Sequence, residues 1–182
     1  MSCLLYFVFN LSLTPQTKIK DRKQFTEAES WILFEDFKES LPLYQELLKK
    51  YPENSNLKFR IGLCFLNIPG EKDKSIKYLE EAVKNINPEY RTGKFRENGS
   101  PHDALFFLGN AYLVNNQIEK ALETFRLFST DLDEKVYDTS IVKIQIQSCY
   151  TARELMGSSI FMREKNIGAP VNYNFSESAP VV

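Results

Sequence analysis

The chain has 182 residues, 43% hydrophobic and 26% charged, with a formal net charge of -1 at pH 7. This suits a globular protein with one main core and an appendage, too short for two full domains. It lacks the overall basic field that nucleic-acid binding needs, and its basic clusters, "KIKDRK" at 18–23 and "RTGKFR" at 91–96, are short and interrupted, as expected of solvated surface.

Residues 3–13, "CLLYFVFNLSL", form an apolar run too short to cross a bilayer as a helix and about the length of a signal-peptide core. A polar "TPQTKIKDRK" follows. No Lys or Arg precedes the run and no A-x-A cleavage motif follows it, so a first buried element is the competing reading. Segment 1–17 is set apart as signal-like, with export as its consequence.

Three helix pairs come next. In the first, about 21–54, Ala28 and Trp31 lie on one helix, and "SLPLYQELLKKYPEN" supplies the other, with Tyr44 and Leu47 inward and Pro52 at its end. Pro42 predicts that the second helix starts late, near Glu39, or kinks, because proline removes a hydrogen bond beyond the first turn. In the second pair, about 55–90, Gly62 follows Ala28 by 34 residues and stands beside Ile61 and Phe65. The turn "NIPGEKDK" then leads into "SIKYLEEAVKNINP", with Leu79 and Ala82 inward and Pro88 ending the helix.

Gly62 to Gly109 is 47 residues, and most of the excess falls in "RTGKFRENGSP", 91–101. That is long for a helix connection, and a functional insertion and a tolerated surface loop are both open. The third pair, about 102–135, contains "ALFFLGNAYLVNNQIEKALETFRLF". Ser100 fits an N-cap, Pro101 the first helical position and Asp103 the favourable end of the dipole, while "VNNQ" makes the turn between helices. A closing helix at 138–156 carries Ile141, Ile144, Cys149, Ala152 and Leu155 as its apolar stripe, with Asp138 or Ser140 as cap. Residues 158–182, ending "VNYNFSESAPVV", lose the helical period and read as an extended tail.

Leu105, Leu108, Gly109, Tyr112, Ala121, Phe125 and Phe128 have the spacing of the tetratricopeptide pattern, in which small residues let two helices approach and aromatic ones fill the space beside them. The fold class expected is all-α: a tetratricopeptide-like α-solenoid of three helix pairs plus a capping helix, covering residues 18–157, with an extended C-terminal tail. Projecting the repeat places Phe25, Glu29, Ile32, Phe59, Leu63, Asn67, Phe106, Asn110 and Val114 on the face formed by the first helix of each pair, the candidate partner-binding groove. Phe25, Phe59 and Phe106 recur at one repeat position. They form either an aromatic ladder for a peptide or packing between repeats, and packing is the expectation for at least two of them. Phe in each unit, where carboxylate-clamp members of the family carry Lys, argues against capture of a peptide's terminal carboxylate.

No catalytic set is present. His102 is the only histidine, no phosphate-binding glycine loop occurs, and Cys3, Cys64 and Cys149 form neither a zinc motif nor a disulfide framework. Cys64 and Cys149 fit small core positions. No catalytic residue, metal or cofactor is expected.

The stretches "IPGEKDKSIKYLEEAV", "GSPHDALFFLG" and "IGAPVNYNFSESAPVV" resemble the N-terminal tetratricopeptide region of Bacteroidetes envelope proteins. In that family the helical region precedes a WD-repeat-like β-propeller and often an OmpA-like peptidoglycan-binding domain, and some relatives belong with type IX secretion and gliding. The resemblance implies that 158–182 leads into a propeller absent from these residues and that the chain is a piece of something larger. It implies a non-enzymatic scaffold, periplasmic and outer-membrane-associated if residues 3–13 are an export signal. Its partner would be a protein or its own downstream propeller, with peptidoglycan reached only through an absent domain, no nucleic acid and no direct transmembrane span. The alternative is a stand-alone cytoplasmic tetratricopeptide adaptor or chaperone-like peptide binder.

Overall fold

The computed structural model describes residues 15–130 and 139–157. The apolar run at 3–13, Cys3, the proposed cap Asp138 and the tail 158–182 lie outside the described residues. Within them are seven helices: α1 (Pro15–Leu33), α2 (Phe37–Lys50), α3 (Ser55–Asn67), α4 (Asp73–Ala82), α5 (Asp103–Val114), α6 (Ile118–Thr130) and α7 (Thr139–Gly157). Each helix packs on the next, and α3 touches α5 as α5 touches α7, so the first helices of successive pairs lie side by side. This is the all-α solenoid expected from the repeat, three pairs and a closing helix.

Close helix approach is what the repeat's small residues permit. A Cβ at Gly62 would lie 2.6 Å from Leu79 Cγ, and one at Gly109 would lie 2.6 Å from Phe125 Cε1. Leu79 and Phe125 are fully buried, so neither can retreat cheaply. In the first pair Ala28 and Ser40 are buried together, and the Ser40 hydroxyl donates to the Ala28 carbonyl at 3.0 Å. Two core clusters result and share α3. One joins Phe25, Ala28, Tyr44 and Leu47 to Leu57, Ile61, Cys64 and Phe65; the other runs from Phe59 and Leu79 through Leu108, Tyr112 and Phe125 to Val142 and Cys149. Cys64 and Cys149 are free thiols, one in each cluster, and burial pushes Cys64 up to about 12.

The turns follow local chemistry. Asn116 takes the left-handed conformation, φ 58°, and the Gln117 amide reaches back to the Tyr112 carbonyl at 2.9 Å, the pattern that ends a helix. Glu35, φ 59°, ends α1 in the same way, with the Asp36 amide donating to the Trp31 carbonyl at 2.9 Å.

Several boundaries differ from the sequence expectation, each for a physical reason. The first helix starts at Pro15, six residues ahead of the expected first unit at about 21, and takes in the basic run 18–23. The second starts at Phe37, ahead of Glu39, because the Asp36 carboxylate accepts the Glu39 amide; Pro42 lies inside it. The fourth stops at Ala82 with a short 3-10 turn at Val83–Asn85, six residues before Pro88. Its terminal carbonyls are taken instead by Ser100, whose hydroxyl donates to Ala82 O at 2.8 Å and whose amide donates to Asn85 O at 2.9 Å. Ser100 therefore does not cap α5, whose first residue is Asp103. In α7 the buried stripe is Val142 and Cys149, with Ile146 and Ala152 partly covered, while Ile141, Ile144 and Leu155 face outward. Cys149 and Ala152 hold their expected inward places, while Val142 and Ile146 take the inward places expected of Ile141 and Ile144, and Leu155 lies outside the stripe.

Valine at Gly109 must displace the Phe125 ring, so Gly109→Val is expected to lower the unfolding free energy by about 2 kcal/mol in urea titrations. A Cβ at Gly157 would meet nothing within 4 Å among the described residues, and Gly157→Ala is expected to leave the midpoint unchanged or raised.

Candidate functional site

The face of the first helices carries the residues that the repeat projects, and burial divides them. Phe25 is 1% exposed and Phe59 4%, so neither lines an open groove. Phe25 packs on Tyr44 and Phe95, with ring centroids 5.8 Å apart in both cases, and Phe59 packs on Phe107 at 5.7 Å. Phe106 is half-buried against Phe107, Phe125 and Phe128. The recurring phenylalanines are therefore packing residues: Phe25 lies under the insertion, Phe59 lies against the next repeat, and Phe106 lies within its own helix pair.

What stays accessible is the neighbouring register. Leu63 and Asn110 occupy one repeat position and are half-exposed; Asn67 and Val114 occupy the next and are exposed, Val114 at 48%. Leu33 is the α1 counterpart of Asn67 and Val114. It is 81% exposed, beside Phe34 at 75%. Sequence projection named Ile32, which is half-buried, although counting five residues on from Ala28, as from Gly62 and Gly109, reaches Leu33. The signal was in the register.

Glu29 does not stand free. Arg60 Nη2 donates to Glu29 Oε2 at 2.9 Å, and the Tyr44 hydroxyl donates to Glu29 Oε1. Arg60 is 7% exposed, so this ion pair between α1 and α3 is largely desolvated. Burial first, then the Glu29 carboxylate, push the Tyr44 phenol well above its ordinary range, and burial likewise raises Tyr90.

The inserted segment completes this network. Tyr90 donates to Asn56 Oδ1 at 2.7 Å and receives Arg60 Nη2 at 3.4 Å. Phe95 fills the space beside Phe25 and Tyr51, ring centroids 5.8 and 5.7 Å away. The Asn98 carbonyl accepts the Ser55 and Asn56 amides at 2.8 and 3.3 Å, and Asn54 Oδ1 accepts the Leu57 amide at 2.9 Å, so the opening amides of α3 are satisfied. The insertion is thus bound along the array and covers the start of α3 and the flank of α1. Two buried donors beneath it, Arg60 Nε and Asn56 Nδ2, have no hydrogen-bond partner among the described residues.

No group of His, Cys, Asp and Glu suited to a metal occurs among the described residues, and no helix there is long and apolar enough to cross a membrane. His102 is half-buried and stacks on Phe128, ring centroids 5.0 Å apart, with Nε2 3.1 Å from the Phe128 carbonyl. A packed imidazole in this setting is a structural group.

Residues 34–90 match the tetratricopeptide repeat family model. The match takes in α2, α3 and α4; outside it α1 packs on α2 and α5 on α6. No curated protein matches the chain significantly. The solenoid is tetratricopeptide-like, and repeats of this kind serve as protein–protein interaction modules.

Truncating a buried, paired arginine strands its partner. Arg60→Ala is expected to cost about 3 kcal/mol and Tyr90→Phe about 1 kcal/mol, read from guanidinium unfolding. A loss below about 0.5 kcal/mol for Arg60→Ala would mean that the α1–α3 pair is not a buried tie.

Proposed function

We propose that this chain is a non-enzymatic scaffold module of a periplasmic, outer-membrane-associated envelope protein, holding a protein partner or a downstream propeller domain of its own polypeptide on the face of its first helices. The interaction role follows from the tetratricopeptide match over 34–90. The envelope setting rests on the sequence resemblance and on the apolar run at 3–13.

One observation carries the interaction reading. The stripe Leu33, Asn67 and Val114, with Leu63 and Asn110 beside it, runs across three successive repeats with its side chains accessible, while the phenylalanines behind it are packed. A row of exposed apolar and amide side chains on rigid helices offers shape and hydrogen bonding without chemistry. The titratable groups nearby are used structurally: Glu29 in its pair with Arg60, and Tyr112 in a 2.7 Å hydrogen bond to Glu80.

Because Asn67 and Val114 are exposed, charging them does not disturb the core. Asn67→Arg/Val114→Arg is expected to keep the wild-type thermal midpoint and to lose, by about tenfold or more, a protein captured from envelope fractions of the encoding organism. Capture from cytoplasmic fractions alone would contradict the envelope setting. Capture unaffected by the double variant would contradict the use of this face.

A further inference from the structure

The two basic clusters, 70 residues apart in sequence, meet in the fold. The first half of α1 and the inserted loop enclose an open cleft of about 1080 Å³, and its walls carry Lys18 and Arg22 from one side and Arg91, Lys94 and Arg96 from the other. All five are exposed, and none makes an ion pair among the described residues. The nearby Lys50 is different, since its ammonium is neutralised by the buried Asp21 at 2.6 Å. Two carboxylates share the lining, Glu89 and Glu97. Glu97 is already committed, accepting the Asn87 side-chain amide at 2.7 Å and the Arg91 backbone amide at 3.2 Å. The two clusters are solvated surface, as expected, and the fold adds that they line one cleft.

We infer that this cleft is a second docking site, distinct from the first-helix stripe, and that it takes an acidic segment of a protein partner. The inference deepens the reading of the chain as an interaction module and rests on it. Charge complementarity names the occupant: five unpaired cations converge on a space at the upper end of the ~300–1,000 Å³ range of ligand pockets, room for a chain segment rather than one ion. Ile19, 59% exposed between Lys18 and Arg22, adds an apolar contact for a side chain among the acids. Gly93, at φ 70° with nothing within 4 Å of where a Cβ would be, leaves bare backbone in the opposite wall.

Nucleic acid fits less well. The aromatic rings of the lining are engaged in packing, Phe95 and Tyr51 edge to face against each other and the Tyr51 hydroxyl bonded to Asp21 at 2.8 Å, and are half-buried rather than presented as a stacking platform. The cations surround one cleft on a chain of net charge -1 and do not form a stripe. Residues 1–14, which adjoin α1 in sequence, contain no Asp or Glu and do not supply the complement.

The test uses the full chain and a fluorescently labelled peptide of repeated Leu-Glu-Glu, with the Leu-Gln-Gln peptide and an oligothymidylate as comparisons. The Glu peptide is expected to bind, weaken as salt rises, and lose about tenfold or more in Arg22→Glu/Lys94→Glu. The same reversal at Lys38 and Lys143, exposed and outside the cleft, is expected to leave affinity within about twofold, and both variants to keep the wild-type thermal midpoint because all four side chains are exposed. Equal loss from both reversals, binding that prefers oligothymidylate, or no binding of the Glu peptide overturns the proposal. So does self-association abolished by Arg22→Glu/Lys94→Glu, which would seat the acidic run 131–138 of a second copy there. The interaction reading fails separately: Glu-peptide binding that meets these expectations while Asn67→Arg/Val114→Arg leaves partner capture unaffected sinks the first-helix stripe alone.

Discussion

A helix cannot bury its first turn without finding partners for the amides that have no carbonyl a turn before them. In α3 that demand falls on Ser55, Asn56 and Leu57, and the Asn98 carbonyl meets two-thirds of it. This one contact fixes the path of the inserted segment. With Asn98 held at the start of α3, Tyr90 lies over Asn56 and Arg60, Phe95 lies on Phe25, and Ser100 reaches the open end of α4. The insertion works as a strap joining the first two repeats, and the Glu29–Arg60 pair beneath it is shielded by that strap.

The same placement organises the surface. A loop free in solvent would scatter Arg91, Lys94 and Arg96; a loop tied to α3 sets them opposite Lys18 and Arg22. It also hides part of the face that a bare array would present, leaving Leu33, Leu63, Asn67, Asn110 and Val114 as the accessible register. Two chemically different surfaces follow from one structural tie: an apolar and amide stripe on the first helices, and a cationic cleft at their flank. The tetratricopeptide-like solenoid supplies the rigid support for both.

Much of the fold was legible because small residues have a steric meaning. Gly62 and Gly109 stand where Leu79 and Phe125 leave no space for a Cβ, so a small residue set among apolar neighbours at helical spacing marks each close helix approach in the sequence. Packing was the expectation for at least two of the three recurring phenylalanines, but not for which two or against what, since periodicity places a residue on a face and does not say what lies over it. What lies over Phe25 is Phe95, from a segment with no period at all. Ser100 shows the same limit: its position before Pro101 and Asp103 has the form of a helix cap, yet its hydroxyl satisfies carbonyls at the end of α4. In α7, Val142 rather than Ile141 turns inward while Cys149 keeps its expected place, because adjacent apolar residues in the first half of the helix leave the choice between them open in the sequence. The cleft was invisible for a simpler reason, since its cations become neighbours only through the long-range contacts of the strap.

Amide hydrogen exchange measures the strap directly. If the insertion is an integral part of the array, the amides of Ser55 and Asn56, which donate to Asn98, and of Asn87 and Ser100, which bond across the loop, exchange as slowly as those in the middle of α3. Exchange of these four at the rate of an unstructured chain, with the α3 interior still protected, would contradict the account.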